Sequence, residues 1–120
     1  MPKVLIVEDD ADLLYLYVTA LSQKSYDVVE AKSYSSVMEI LRKPDAVPDL
    51  MILDIAMPDA PGTRVIEYMR GEARFNSTRI IVITANDHYK DRVENLGVNY
   101  FLVKPIAIAR LVEITDELLG

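Results

Sequence analysis

Residues 4–14 read VLIVEDDADLL, and they decide the fold. Val4 to Val7 form an unbroken apolar run, as in a strand buried on both faces. Glu8, Asp9 and Asp10 follow without a spacer. A helical stripe then begins, with Leu14, Val18 and Leu21 between Asp10 and Lys24. One acid at a helix start is ordinary, because the first turn leaves unpaired N–H groups and a partial positive charge. Asp10 fills that role as the N-cap. Three adjacent like charges exceed it, so Glu8 and Asp9 point to a cation.

The same alternation continues outward. Asp27–Ala31 is a short strand. Ser33 or Ser35 caps a helix whose apolar face carries Val37, Ile40 and Leu41, and Pro44 and Pro48 end it. Asp49–Asp54 is a third strand that terminates in an acid. IAMPDAPG is a loop by its prolines and Gly62. Thr63 is placed to cap a helix with Val65, Ile66 and Met69 facing inward, closed by Gly71. Arg79–Ala85 is a fourth strand. Asp87–Leu96 reads as a short helix stopped by Gly97. Asn99–Val103 is a fifth strand, and Ile108, Leu111, Val112 and Leu118 lie along a last helix.

Five strand–helix pairs imply a parallel sheet covered on both faces. The expected fold is α/β and doubly wound, (βα)5, a three-layer sandwich with strand order 2-1-3-4-5. Ligands in such folds meet the carboxyl ends of the strands. Those ends here carry Glu8 and Asp9, Asp54, Thr84 and Lys104. Strands one and three are neighbours in this order, so their carboxylates converge. An all-oxygen acidic site suits Mg²⁺, with Mn²⁺ as an alternative. Lys104 offers a point charge for phosphate and Thr84 a hydroxyl donor.

Composition narrows the alternatives. The 120 residues suit one domain and are 51% hydrophobic. There is no cysteine, which removes disulfides and thiolate metal sites and fits a cytoplasmic setting. The 13 Lys and Arg against 19 Asp and Glu give a net charge of −6, which argues against direct nucleic-acid contact. No apolar run approaches the roughly 20 residues of a membrane span. The four glycines form no phosphate-cradling motif, and there is no G-x-S-x-G nucleophile elbow. A phosphatase of the haloacid-dehalogenase type expects an acid two residues after its nucleophilic Asp, where this chain has Ala56.

Four segments together resemble the receiver domain of two-component response regulators, a flavodoxin-like fold. They are VLIVEDD, LMILDIAMPDAPG, IIVITA and FLVKP. The resemblance covers essentially the whole chain, and the expectation is a single receiver domain over residues 1–120 with no output domain. It implies that Asp54 is the phosphoacceptor. Asp9 would ligate Mg²⁺ directly, Glu8 through water, and the Ala56 backbone carbonyl would add a ligand. Lys104 would contact Asp54 and then the phosphoryl oxygens. Thr84 and Phe101 would form the switch, and the Lys104–Pro105 bond would be cis. The implied partners are a sensor histidine kinase or a histidine phosphotransfer protein, and a downstream effector protein. The protein would be a phosphorelay switch rather than an enzyme. Ala56 and Asn86, each two residues beyond a strand-end residue, would set the phosphoryl lifetime. A receiver that binds partners without phosphorylation is the rival reading.

Some residues depart from the pattern or stay outside it. The stretch from Asn86 to Gly97 is short, so a stunted fourth helix is expected. Ile106 stands where Phe is common. His88, the sole histidine, reads as a solvated loop residue, and Phe101 could equally be plain core.

Overall fold

The computed structural model describes residues 1–120. Its strands are β1 (Lys3–Val7), β2 (Asp27–Ala31), β3 (Leu50–Leu53), β4 (Arg79–Thr84) and β5 (Tyr100–Val103). Its helices are α1 (Ala11–Ser22), α2 (Tyr34–Leu41), α3 (Thr63–Arg70), α4 (Lys90–Glu94) and α5 (Ile108–Leu119). The sheet order is β2-β1-β3-β4-β5, every pair parallel. This is the doubly wound order read from the sequence.

The alternating pleat splits the apolar strand residues between two cores. Leu5, Val7, Met51, Leu53, Ile80 and Val82 face α2, α3 and α4, where they meet Leu41, Ile66, Phe75 and Val93. Val4, Ile6, Leu50, Ile52, Ile81 and Ile83 face α1 and α5, against Leu14, Leu21, Leu111 and Ile114. Burial on both sides explains why β1 and β3 read as continuous apolar runs, each side chain contributing about 1.5–3 kcal/mol.

The helix faces differ in part from the sequence reading. In α1 the buried residues are Leu14, Tyr17 and Leu21. Val18 is only half-buried, because the stripe at spacings of three and four passes through Tyr17 instead. In α2, Met38 is buried and Ile40 sits at the rim. Ser33, rather than Ser35, caps α2, and Ser36 completes a reciprocal pair of side chain–backbone bonds. Asp10 caps α1 as expected, accepting from Asp12 N and Leu13 N at 3.0 Å each. Thr63 does not act as a cap: α3 begins at Thr63 itself, after Gly62, and the Thr63 hydroxyl is buried without a hydrogen-bond partner. A 3₁₀ turn at Ala73–Phe75, absent from the sequence reading, drives Phe75 into the core. The fourth helix is stunted, as expected: a 3₁₀ turn at Asp87–Tyr89 leads into the five residues of α4. Gly97 ends it with φ +77°, a conformation open to glycine.

Gly62 is fixed by close approach. A Cβ there would lie 2.9 Å from the Asp54 carbonyl oxygen and 3.0 Å from Ile55 Cα. Backbone cannot yield as a flexible side-chain end can. Gly62→Val should therefore cost about 1–3 kcal/mol, the usual range for overpacking. Urea unfolding would show it as a lowered midpoint; an unchanged midpoint would mean the loop moves freely.

One long-range tie joins the start of β2 to α5. The Tyr26 hydroxyl donates to Asp116, whose other oxygen lies 3.4 Å from Lys24 Nζ. Burial, reinforced by that carboxylate, pushes the phenol from 10.0 up to about 12. A group with a raised folded pKa adds stability below its unfolded pKa and loses it as pH climbs through the folded value. The stability gap between the wild type and Tyr26→Phe should hold up to about pH 10 and close by about pH 12. Urea midpoints measured across that window would check it, and a gap that persists beyond it would be contrary.

Candidate functional site

The strand ends deliver their polar residues to one edge. Glu8 and Asp9 follow β1, Asp54 follows β3, Thr84 closes β4 and Lys104 follows β5. The β1 and β3 ends are in register, Val7 beside Leu53, and Asp54 N donates to the Val7 carbonyl at 3.0 Å. One carboxylate oxygen from each of Glu8, Asp9 and Asp54 lies within 4.8 Å of the others. Glu8 and Asp54 are buried and Asp9 is exposed.

Lys104 Nζ donates to Glu8 Oε1 and to Asp54 Oδ2, both at 2.8 Å. The contact with Asp54 is the one the resemblance implied. The contact with Glu8 was not legible in the sequence, where Glu8 was given only a metal role. The remaining carboxylate oxygens are held by backbone: Asp10 N donates to Glu8 Oε2 at 3.1 Å, and Ala56 N donates to Asp54 Oδ1 at 3.0 Å. The Ala56 carbonyl accepts no hydrogen bond and stays free.

The electrostatics follow from this packing. Burial raises the pKa of Glu8 and the Asp54 charge adds to it, against the Lys104 ammonium, which opposes the rise. Burial alone would depress Lys104, but its hydrogen bonds to Asp54 and Glu8 overcome that and hold it above the usual lysine range. The ammonium is therefore a permanent charge. It neutralises one of three carboxylates and leaves two in excess. An oxygen-only donor set with two uncompensated negative charges fits a divalent cation such as Mg²⁺.

Thr84 is fully buried, and its Oγ1 accepts from Asn86 N at 3.3 Å. Phe101 is half-buried and pairs in register with Val82, two residues before Thr84. Side chains two apart share a sheet face, so Thr84 and Phe101 lie on the same one. Lys104–Pro105 is cis. His88 is exposed, within the turn after Asn86. Asn86 Oδ1 accepts from His88 N at 2.9 Å, leaving its amide N–H groups free.

Asp59 was not anticipated as a structural residue. It lies on the loop between β3 and α3, yet its carboxylate accepts from Tyr34 N at 2.9 Å and Ser35 N at 3.0 Å, across at the start of α2. Those two bonds lower its pKa. The signal was present in the sequence as an Asp in a turn-rich loop, but its partner lies 25 residues away.

Comparison with known proteins agrees with this geometry. The response regulator receiver domain profile matches residues 4–116. The phosphate regulon transcriptional regulatory protein PhoB of Escherichia coli is 30% identical over 112 residues, 92% of this chain and 48% of that protein. The transcriptional regulatory protein PrrA of Mycobacterium tuberculosis is 35% identical over 120 residues, 98% of this chain and 50% of that protein. The chain thus spans about half the length of the curated relatives it matches. Among solved structures, the response regulator TrrA of Thermotoga maritima, in complex with Mg²⁺–BeF, superposes with a TM-score of 0.83 at 25% identity, covering 98% of this chain and 99% of that one. The acidic strand ends, the sheet order and these relatives agree, and the chain belongs to the response regulator receiver domain family.

Proposed function

We propose that this receiver domain accepts a phosphoryl group on Asp54 and relays the event through its β4–β5 side. The observation that carries the reading is the Asp54 carboxylate, bonded to Lys104 and within 4.8 Å of Glu8 and Asp9 oxygens. The donor is a sensor histidine kinase or a histidine phosphotransfer protein. An Asp54 oxygen forms the new P–O bond as the donor's P–N bond breaks, and the electron pair leaves with the imidazole. Both partners are negative, so the chain must offset their repulsion. Lys104 does so as a permanent ammonium, and Ala56 N–H orients the nucleophile through Oδ1. Mg²⁺, or Mn²⁺, held by Glu8, Asp9, Asp54 and the Ala56 carbonyl, would neutralise the phosphoryl oxygens. The chain contributes to its own chemistry as a signalling switch and turns over no external substrate.

The phosphoryl group adds about −1.5 to −2 of charge and new acceptor oxygens. Thr84 supplies a hydroxyl whose present contact, at 3.3 Å from Asn86 N, is weak and readily given up. Its movement opens space on the face it shares with Phe101, and α4, β5 and α5 carry the change to an effector protein. Ala56 and Asn86 set the phosphoryl lifetime; in support, both line one 360 Å³ cavity together with Ile55, the residue after Asp54. The setting is the cytoplasm, with no direct contact to nucleic acid or membrane. The test is incubation with acetyl phosphate and Mg²⁺, read by intact mass and by backbone amide NMR. One added phosphoryl group with shifts at Thr84 and Phe101 is expected. An unmodified mass would favour a receiver that works without phosphorylation.

A further inference from the structure

The largest cavity of the molecule, about 750 Å³, lies at the opposite end of the sheet. It is lined by the residues that precede β1, β3, β4 and β5, together with Arg70 at the end of α3. Strands of four to six residues, at about 3.3 Å each, keep it well away from Asp54. Nothing in the phosphorylation chemistry uses it.

Its charge is unlike that of the rest of the chain. Arg70 and Arg79 both line it, and neither forms an ion pair. Arg70 is half-buried and fixed in place: Nε donates to the Leu96 carbonyl and Nη2 to the Gly97 carbonyl, both at 3.0 Å, and Nη1 to the Phe75 carbonyl at 3.5 Å, which leaves one N–H on each Nη for a ligand. Arg79 Nη1 donates to the Leu118 carbonyl at 3.0 Å. Carbonyl partners orient a guanidinium and leave its charge uncompensated. The one acid in the wall, Asp49, accepts from Lys3 N at 2.7 Å and keeps its charge, so the two arginines leave the groove a net charge of about +1. Asn99 Oδ1 accepts from Ile80 N at 3.0 Å, which leaves its amide N–H groups unused, and the Asn76 and Ser77 side chains have no partner within the chain. In a protein of net charge −6, two arginines against one acid, with spare neutral donors beside them, make this a locally positive groove.

We propose that this groove binds a small phosphorylated metabolite of nucleotide size, with Arg70 and Arg79 on the phosphate. Guanidinium forks match phosphate oxygens in pairs. The groove is open to solvent, and its volume of about 750 Å³ leaves room beyond a bare phosphate. Asn76, Ser77 and Asn99 then offer hydrogen bonds to the polar remainder of the ligand.

The probes are adenosine monophosphate, inorganic phosphate and adenosine, titrated separately into the whole chain without divalent metal and followed by amide NMR. The metal-free condition keeps phosphate from the acidic edge. Adenosine monophosphate should shift Arg70, Ser77, Arg79, Gly97 and Asn99. Inorganic phosphate should shift the same arginines more weakly, and adenosine should do nothing. Arg79→Ala should weaken the monophosphate at least tenfold, and Arg79→Lys should recover part of the loss. Both variants should still be phosphorylated by acetyl phosphate and Mg²⁺, which reports a folded chain whatever the groove does. Shifts confined to the Asp54 edge, equal binding by Arg79→Ala, or no shift with millimolar monophosphate would each overturn the proposal. Shifts with phosphate as large as with the monophosphate would reduce it to a bare anion site and overturn the nucleotide assignment.

Discussion

Asp54→Asn should not be phosphorylated by acetyl phosphate under conditions that modify the wild type to completion. The amide keeps the shape of the side chain. Its Oδ1 can still accept from Ala56 N, and its neighbours keep their packing. What disappears is the anionic oxygen, now paired with Lys104, that must form the bond to phosphorus. An amide oxygen is too weak a nucleophile to replace it, so the effect is a loss of the reaction rather than a slowing. Intact mass gives the answer directly, since the wild type gains one phosphoryl group and the variant gains none. A fully modified variant would move the acceptor to another residue and remove the role given to Asp54.

Metal withdrawal should have the second largest effect. Glu8, Asp9 and Asp54 crowd within 4.8 Å, and Lys104 offsets one of them. Two unit charges at such a distance interact by on the order of 3 kcal/mol at an effective dielectric constant of about 20. An incoming phosphoryl donor meets that repulsion from each uncompensated acid. Since about 1.4 kcal/mol is a factor of ten in rate, chelation should slow modification by at least about a hundredfold. Asp9→Asn should act in the same direction at limiting Mg²⁺ and be rescued in part by excess. Asp9 suits the test because it is exposed and makes none of the hydrogen bonds that hold Glu8 and Asp54. Equal modification with and without chelator would mean Lys104 alone suffices.

The strands were readable because their side chains have little choice. Val4–Val7 and Leu50–Leu53 are buried on both sides, so any polar intrusion would have broken the run. The acids closing those runs marked the carboxyl ends, and the parallel order then brought them together. Helix faces were less legible. Tyr17 outranks Val18 in α1 because burial depends on where the helix docks, which periodicity leaves uncertain by one position. Thr63 has the right chemistry for a cap, but Gly62 is placed by its closeness to Asp54 and Ile55, and the helix begins one step earlier than a Thr63 cap requires, at Thr63 itself. Phe75 enters the core from a 3₁₀ turn, which has no apolar period to read. In the site, the second bond of Lys104, to Glu8, depends on how far the chain after β5 reaches back toward the end of β1, with β3 and β4 between them. Arg70 and Arg79 gave no signal at all. They are 9 positions apart in sequence and share a cavity only because α3 and β4 bring them to one end.

The loop from Asp54 to Gly62 is tied at three places. Ala56 N reaches back to the Asp54 carboxylate, the Asp59 carboxylate holds Tyr34 N and Ser35 N, and Gly62 N closes onto the Ile55 carbonyl at 2.8 Å. Each tie takes its share of the ordering cost during folding, so less remains to be met when a cation or phosphoryl group arrives. Recognition at Asp54 is then preorganised, and the free energy of each arriving ligand goes into displacing neighbours instead of ordering the loop. The middle tie also crosses to another element. Under the proposed function, a shift of the loop at Asp59 would pull on the first turn of α2 and give the event at Asp54 a second mechanical outlet, on the side of the molecule away from β5.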